Sequence, residues 1–521
     1  MHRSYLNFIL QAIATLPVAQ AAQIHWSGPC GLKDESAPMI CGTLEVPLDY
    51  TDPQPNRTLT LDLAKVAAKN PSKKGEMKEP ILFNFGGPGE DSLSSMAVLG
   101  AQLQATLGGD FDLITFNTRG VGKTLPFLCS ENEQEFALLQ FNHGTASKGA
   151  LNHMWNQSAV MVEKCYQNNR QTGELLGTAF VARDIMQVVD ALGLEKLNYW
   201  GFSYGTVLGA TTVSMFPNRM GKVVLDGVQN AHEYLHGYDS QMSLDTDKVF
   251  YGFCAGCLAA PSLCPLAKRY NFPSEMEADI HNFLETLKVY PIEIPGAGVI
   301  TYDMVKSIIL GQLYGTNLWP ELSTLLDFAI LRNVTGLMSI FGDKLSSDRG
   351  SSNAAAAEEN KVKTRNPTIL ESLLSIRCSD KIPRSSNLQQ LAPVLYDSWS
   401  LSNIGGDFND FIEVPCAQWK LAAKERYTGD FNVKTPHPIL LIGNTFDPVT
   451  PLASAYNVSW GLEDSVVLEH HGYGHSSLGQ FSLCTANTVR RYFEDGTLPP
   501  PGKICEPSLQ TFTTKTWENV I

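Results

Sequence analysis

Short runs of apolar residues, each bounded by glycine or aspartate, recur along the first half of the chain and again near its end. Runs of this kind are typical of strands that are buried on both faces of a parallel sheet. Two earlier segments, 42–50 and 59–67, predict an antiparallel pair that opens the sheet. The predicted parallel strands are 80–87, 111–120, 197–203, 222–228, 437–447 and 465–475.

Between these strands the pattern takes the period of a helix. In the segment 179–194, Val181, Ile185, Val188 and Leu192 fall on one face, which predicts an amphipathic helix. Strands that alternate with such helices predict an α/β protein with a mostly parallel central sheet.

The strand pattern disappears from about 229 to 430, where helical segments such as 276–290 and 321–341 dominate. A polar stretch, 343–366, has the composition of a mobile loop. We therefore expect a large, mainly helical lid inserted into the core. The predicted division is a signal peptide at 1–21, the first part of the core at 22–228, the lid at 229–430 and the C-terminal part of the core at 431–521.

The N-terminus has the layout of a cleavable signal peptide. Arg3 precedes a mostly apolar run from Tyr5 to Val18, and small residues follow at Ala19–Ala21. This run is too short for a membrane span, and a net charge of −14 disfavours a nucleic-acid partner. The sequence therefore predicts a secreted protein with no membrane and no nucleic-acid partner.

Two further patterns agree with secretion. Glycosylation sequons occur at Asn56, Asn156, Asn333 and Asn457. The chain has eleven cysteines, which suits an oxidising compartment and leaves at least one thiol over.

The spacing of the cysteines suggests local disulfides, although spacing alone cannot fix their connectivity. Cys254, Cys257 and Cys264 form a cluster that lacks the second ligand pair of a zinc site, so we expect Cys254 to be free and no metal to be bound. The predicted pairs are Cys30–Cys41, Cys129–Cys165, Cys257–Cys264, Cys378–Cys416 and Cys484–Cys505.

The segment "YWGFSYGTVLG" places Ser203 between Gly201 and Gly205, where a predicted strand ends and a helical pattern begins. A nucleophile elbow needs this strand–turn–helix context, with small flanking residues because the serine backbone is strained. A serine that only caps a helix in a tight turn is the simpler alternative. The context favours a nucleophile.

A nucleophilic serine needs a base, and the base needs an orienting carboxylate. His475 lies in a glycine-rich loop after the last predicted strand, whereas His470 and His471 fall inside that strand. Asp447 follows another strand and is the favoured acid, but Asp226 also ends a strand and remains an alternative. The order Ser203, Asp447, His475 is that expected of an α/β-hydrolase.

An oxyanion formed on the substrate needs two backbone N–H donors. We expect one from Tyr204, directly after the serine, and one from Gly87 in the loop "NFGGPGEDS". Glu90 and Asp91 in the same loop either bind a substrate ammonium or are solvated.

Several motifs together resemble the secreted tripeptidyl aminopeptidase-like hydrolases of the proline iminopeptidase clan. They are "CGTLEVPLDYTDP", "NFGGPG", "YWGFSYGT", "VVLDGV", "GNTFDPVTPLASA", "GYGHSSL" and "YFEDGTLPPPGKIC", in that order between about 30 and 506. The resemblance implies an α/β-hydrolase fold, the triad of Ser203, Asp447 and His475, exopeptidase chemistry through an acyl-enzyme, and no cofactor.

The sequence therefore predicts a serine aminopeptidase that releases short peptides or single residues from free N-termini. An esterase or amidase acting on a small metabolite is the alternative enzyme, and a hydrolase fold used only for binding is disfavoured by the intact triad. A lid carboxylate that pairs with the substrate ammonium would favour the peptidase, and the candidates are Glu233, Asp239 and Asp245.

Overall fold

The computed structural model describes residues 22–52, 57–70, 78–137, 139, 142–296, 298–341 and 365–521. The predicted signal peptide, Asn56 and almost all of the polar stretch at 343–366 lie outside these residues.

The strands are β1 (His25–Pro29), β2 (Met39–Pro47), β3 (Thr58–Val66), β4 (Ile81–Asn84), β5 (Leu113–Phe116), β6 (Leu197–Phe202), β7 (Met220–Asp226), β8 (Ile292–Ile294), β9 (Gly298–Ile300), β10 (Leu440–Phe446), β11 (Val466–Tyr473) and β12 (Ile504–Cys505).

The helices are α1 (Ser92–Thr106), α2 (Glu133–Ala137), α3 (Ala150–Asn168), α4 (Thr178–Ala191), α5 (Tyr204–Met215), α6 (Ala231–His236), α7 (Thr246–Ala259), α8 (Pro273–Leu287), α9 (Tyr302–Gln312), α10 (Trp319–Ile330), α11 (334–341), α12 (Ile369–Asp380), α13 (Leu388–Leu401), α14 (Asp410–Gln418), α15 (Leu452–Ser459) and α16 (Leu483–Asp495).

Ten of the described strands form one sheet in the order β1-β2-β3-β5-β4-β6-β7-β10-β11-β12. β1 to β3 are antiparallel, and β3 also pairs antiparallel with β5, whereas every pair from β5 to β12 is parallel. The predicted antiparallel opening and parallel centre are both present. The central strands β4, β5 and β6 are buried along their whole length, which explains their continuous apolar sequences.

Helices cover both faces of the sheet. α4, α5 and α15 pack on one face, and α1 and α16 on the other. On the face predicted for α4, Val181, Ile185 and Val188 are fully buried against the sheet, whereas Leu192 lies one residue beyond the helix and is half-buried. This three-layer arrangement is the α/β-hydrolase fold that the sequence predicts.

The region 229–430 is mainly helical, as expected, with a small hairpin of β8 and β9. One part of it, α7 to α11, encloses its own apolar core. The other part, α12 to α14, packs with α3, which precedes the predicted lid in sequence.

The continuous helix predicted over 321–341 is wrong. The chain breaks after α10, where Arg332 adopts a left-handed φ of 50°, and α11 begins again at 334. Asn333 explains the break, because its side chain accepts a hydrogen bond from the Gly336 N–H (3.1 Å) and so caps the new helix.

All eleven cysteines lie in the described part of the chain. The disulfides are Cys30–Cys41, Cys129–Cys165, Cys257–Cys264, Cys378–Cys416 and Cys484–Cys505, which are the five predicted pairs. Cys254 is free and buried, as expected.

In the described part of the chain, none of the helices combines the length and the apolar character that crossing a bilayer requires. The side chains of Asn156, Asn333 and Asn457 are exposed.

Candidate active site

Four candidate residues lie at the carboxyl ends of four neighbouring strands. β6, β7, β10 and β11 are adjacent and parallel, so their carboxyl ends meet at one edge of the sheet. Ser203 directly follows β6, and Asp226 is the last residue of β7. Asp447 directly follows β10, and His475 lies two residues beyond β11. Ligands of open parallel sheets bind at this edge.

The turn at Ser203 has the strained geometry expected of a nucleophile elbow. Ser203 has φ 58° and ψ −126°, and Tyr204 begins α5 immediately after it. A Cβ at Gly201 would lie 2.3 Å from Gly205 O, and a Cβ at Gly205 would lie 2.6 Å from Asn84 O. Neither position can accept a side chain without moving backbone. The half-buried Ser203 is therefore presented at the tip of a tight bend.

His475 is held by Asp447. Its Nδ1 lies 3.1 Å from each carboxylate oxygen of Asp447. The hydroxyl of Thr450 donates to Asp447 (2.8 Å) and lies 3.1 Å from the same Nδ1. Asp447 also accepts backbone N–H groups, including that of Ser476 at 2.8 Å. Burial alone would raise the pKa of Asp447, but the His475 imidazole and these hydrogen bonds outweigh it and lower the pKa.

Asp226 contacts a different part of the same loop. It accepts the N–H of Ser477 (2.8 Å), the Ser477 hydroxyl (2.5 Å) and the indole N–H of Trp200 (3.3 Å). It is fully buried, and burial raises its pKa to about 6. Of the two carboxylates considered from the sequence, only Asp447 hydrogen-bonds the imidazole of His475.

The other nitrogen of the imidazole, His475 Nε2, is buried and has no hydrogen-bond partner among the described residues. The described contacts include no hydrogen bond between Nε2 and Ser203 Oγ. Such bonds often tighten only when substrate binds, so Nε2 is available as a proton acceptor. His470, by contrast, is buried in β11, where its Nδ1 contacts Thr485 Oγ1 (2.9 Å) and burial lowers its pKa to about 4.

The loop after β4 lies directly against the elbow. A Cβ on Gly86 would lie 2.8 Å from the Ser203 Cβ and 3.1 Å from the Tyr204 N. The Gly86 N–H is already bonded to Asn84 Oδ1 (3.1 Å), whereas the Gly87 N–H has no partner in the described part of the chain. The Tyr204 N–H begins a helix and has no acceptor within it. Both expected oxyanion donors thus remain available, and Gly86 is the glycine that permits the approach.

Asp91, in the same loop, is the N-cap of α1 and accepts the N–H groups of Leu93 and Ser94 (3.1 and 3.0 Å). Glu90 accepts the Ser95 hydroxyl (2.8 Å). Asp91 is therefore committed to helix capping.

The lid carboxylates differ in how they are paired. Asp239 is buried between Arg377 (2.6 Å) and Lys381 (2.8 Å). Asp245 pairs with Lys248 (2.5 Å). Glu233 accepts only the Gln241 N–H (3.0 Å) and forms no ion pair with the described residues, and burial raises its pKa. Of the three, Glu233 is the one left without a cationic partner in this part of the chain.

Sequence reasoning missed two residues that contact His475. Thr450 lies three positions after Asp447, and the segment "DPVT" offered a signal for it. Tyr314 packs its ring against the imidazole at 4.8 Å between centroids. It comes from the lid, far from the other residues in sequence, and no motif marks it.

Two family models match the chain. One, described as the alpha/beta hydrolase fold, matches residues 79–286 and includes Ser203. The other, described as TAP-like protein, matches residues 405–505 and includes Asp447 and His475.

Three curated proteins illustrate the similarity. A "Tripeptidyl aminopeptidase" from Streptomyces coelicolor is 24% identical over 518 residues, covering 95% of this chain and 88% of that protein. "Serine protease Hip1" from Mycobacterium bovis is 25% identical over 491 residues, covering 89% and 87%. "Carboxylesterase B" from Mycobacterium tuberculosis is 26% identical over 490 residues, covering 90% and 86%.

Proposed function

The chain is a serine hydrolase of the α/β-hydrolase fold with a TAP-like C-terminal region, and from that premise we propose that it is a secreted aminopeptidase. In this proposal it releases short peptides or single residues from free N-termini. The name of the Streptomyces relative supports the peptidase assignment. Five disulfides among the described cysteines and the signal-peptide layout of 1–21 support secretion.

The observation that carries the proposal is the pairing of His475 with a buried, ionised Asp447 at the sheet edge where the strained Ser203 turn lies. A carboxylate on Nδ1 fixes the tautomer that leaves Nε2 able to accept a proton. An elbow at the end of the adjacent strand presents a hydroxyl to a substrate carbonyl.

The proposed reaction begins when Ser203 Oγ attacks the carbonyl carbon and its proton passes to His475 Nε2. The N–H groups of Tyr204 and Gly87 stabilise the oxyanion, an effect worth about 3 kcal/mol per donor in comparable sites. The protonated imidazole then gives its proton to the departing amine as the C–N bond breaks. Water, activated by the same imidazole, hydrolyses the acyl-enzyme and regenerates Ser203.

Recognition of a free N-terminus requires an anion near the acyl side of the cleft. We assign this role to Glu233, which follows β7 at the same sheet edge and forms no ion pair with the described residues. The ammonium of a substrate would supply the missing cation. Asp239 and Asp245 are less suitable because lysine or arginine side chains already neutralise them.

An esterase or amidase is the second candidate, favoured by the similarity to a protein named carboxylesterase. The two functions differ in whether a free amine is required.

The deciding experiment is digestion of a peptide library, free or N-acetylated, by the purified enzyme and read by mass spectrometry. We expect cleavage of free peptides only, no cleavage by Ser203→Ala, and a raised KM with little change in kcat for Glu233→Gln. An aryl ester that is hydrolysed while both libraries stay intact would contradict the aminopeptidase and support the esterase. Residual peptide cleavage by Ser203→Ala would contradict the proposed triad.

A further inference from the structure

The lid is joined directly to the loop that carries His475. The Tyr314 carbonyl accepts the backbone N–H of His475 at 2.8 Å. Two residues on, Thr316 donates both its N–H (3.0 Å) and its hydroxyl (3.3 Å) to the Gly479 carbonyl. Three hydrogen bonds therefore fix the lid segment 314–316 to the catalytic loop.

Gly474 leaves room for this contact, whereas Gly479 leaves room for the tight turn of the loop on itself. Gly474 has φ 99°, and a Cβ there would lie 2.7 Å from the Tyr314 carbonyl oxygen. A Cβ on Gly479 would lie 2.7 Å from the His475 N. The loop sequence thus leaves room for the lid backbone against it, and the place of Tyr314 is set by backbone rather than by side-chain packing.

The side chain of Tyr314 lies on the imidazole. The two rings are 4.8 Å apart at an angle of 67°, which is an edge-to-face contact. Asp447 holds His475 only at Nδ1, so a ring against the imidazole restrains the remaining rotation that would swing Nε2 away from Ser203.

The side chain of Tyr314 is half-buried, and its hydroxyl forms no hydrogen bond with the described residues. Burial and the charge of Asp447 raise its pKa, so the hydroxyl keeps its proton and can act only as a neutral donor or acceptor. An unpaired hydroxyl beside the catalytic histidine is available to the substrate.

The imidazole delivers its proton to the departing group, so a residue in contact with the imidazole is close to the place where that group leaves. We propose that Tyr314 completes that side of the active site: its ring positions His475, and its hydroxyl oxygen accepts a hydrogen bond from the N–H of the departing amine. The inference rests on the proposed function, because it takes Ser203 and His475 as nucleophile and base. Tyr314 neither gains nor loses a proton in the reaction.

Two substitutions separate the ring from the hydroxyl. Tyr314→Phe keeps the ring and the backbone hydrogen bonds, whereas Tyr314→Leu removes the ring. Tyr290→Leu is a matched control, since Tyr290 is a lid tyrosine that is 67% exposed. Thermal melting of each variant establishes that it is folded.

The first measurement is the rate at which a fluorophosphonate labels Ser203. In this reaction an Oγ–P bond forms, the P–F bond breaks, fluoride departs unprotonated and the serine proton goes to His475. We expect Tyr314→Phe to label within about twofold of the wild type and Tyr314→Leu at least roughly tenfold more slowly, because a displaced base forfeits part of its 10²–10⁴-fold contribution.

The second measurement compares kcat/KM for a p-nitroanilide and a p-nitrophenyl ester of the same acyl group. The leaving nitrogen of the anilide carries an N–H that can donate to the Tyr314 hydroxyl oxygen, whereas the leaving oxygen of the ester carries no hydrogen. We expect Tyr314→Phe to lower the anilide-to-ester ratio by roughly fivefold, the value of one neutral hydrogen bond, and Tyr290→Leu to leave the ratio unchanged.

The outcomes distinguish this inference from the function on which it rests. Labelling that persists in Ser203→Ala would overturn the proposed function. If the probe labels only Ser203, but labels folded Tyr314→Leu at the wild-type rate, the positioning role of Tyr314 is overturned and the proposed function stands. An unchanged anilide-to-ester ratio in Tyr314→Phe would overturn the leaving-group contact, and this arm stands whether or not Tyr314→Leu folds.

Discussion

At the scale of single residues, Asp447 and Asp226 end neighbouring strands but contact different atoms. Asp447 holds the imidazole of His475, and Asp226 holds Ser477 two positions further along. We expect Asp447→Asn to lower kcat on the order of 10⁴-fold, because an amide at Nδ1 favours the wrong tautomer. Asp226→Asn can still accept the Ser477 N–H but loses the oxygen that accepts the Ser477 hydroxyl and the Trp200 indole N–H. Because neither bond touches the imidazole, kcat should fall only roughly tenfold. Steady-state kinetics of both variants provide the measurement.

An equal loss of kcat in the two variants, or a larger loss in Asp226→Asn, would contradict the assignment of Asp447 as the acid.

The same two residues show what the sequence could not predict at this scale. Ser203 and His475 are identified by glycines whose spacing reflects local backbone geometry, so their motifs are readable. The choice between Asp447 and Asp226 depends on which way the loop after β11 turns, and no local pattern records that direction.

At the scale of elements, four helices meet at one buried carboxylate. Asp380, the last residue of α12, accepts the N–H (2.9 Å) and hydroxyl (2.6 Å) of Thr178 at the start of α4. It also accepts the hydroxyl of Tyr234 in α6 (3.1 Å). Thr178 in turn contacts the hydroxyl of Tyr204, the first residue of α5 (2.7 Å). The lid helix α12 is thereby connected to the helix that carries the nucleophile elbow.

This junction predicts a pH dependence of stability. Burial raises the pKa of Asp380 from 3.8 to about 6, so the folded protein binds more protons than the unfolded chain between those values. The contribution of Asp380 to the free energy of unfolding is therefore fully present below about pH 4 and is lost as the pH rises through 6. The loss amounts to about 3 kcal/mol. The difference between the melting temperatures of the wild type and of Asp380→Asn should therefore shift against the wild type as the pH rises from 4 to 7.

Asp397→Asn is the control for this prediction, because Asp397 is exposed on α13. Its melting temperature should follow that of the wild type at every pH. A wild-type advantage over Asp380→Asn that grows with pH would contradict the argument.

The sequence predicted elements correctly where the apolar pattern was long, as in α4. It failed at 321–341, where a single capping residue, Asn333, divides one periodic stretch into two helices.

At the scale of the whole molecule, the lid is assembled from segments far apart in the chain. α3 packs with α13 and α14, and Tyr314 reaches the loop of His475 from the opposite part of the lid. The strands and helices of the core follow one another along the chain, which is why the fold class could be predicted. Contacts between distant helices depend on how whole surfaces fit together, which is why the pairing of α3 with the lid and the position of Tyr314 could not.

The cysteines give a whole-molecule test of this assembly. Cys254 lies within the apolar core of α7 to α11, fully buried, and burial raises its pKa. Alkylation requires an accessible thiolate, so iodoacetamide should leave the native protein unmodified. In guanidinium without reductant it should modify one thiol per chain, which mass spectrometry should locate at Cys254, and none in Cys254→Ala. Reaction in the native state would mean that this core opens readily. Cys254 found in a bridge, or more than one reactive thiol after denaturation, would contradict the disulfide arrangement that ties α12 to α14 and α16 to β12.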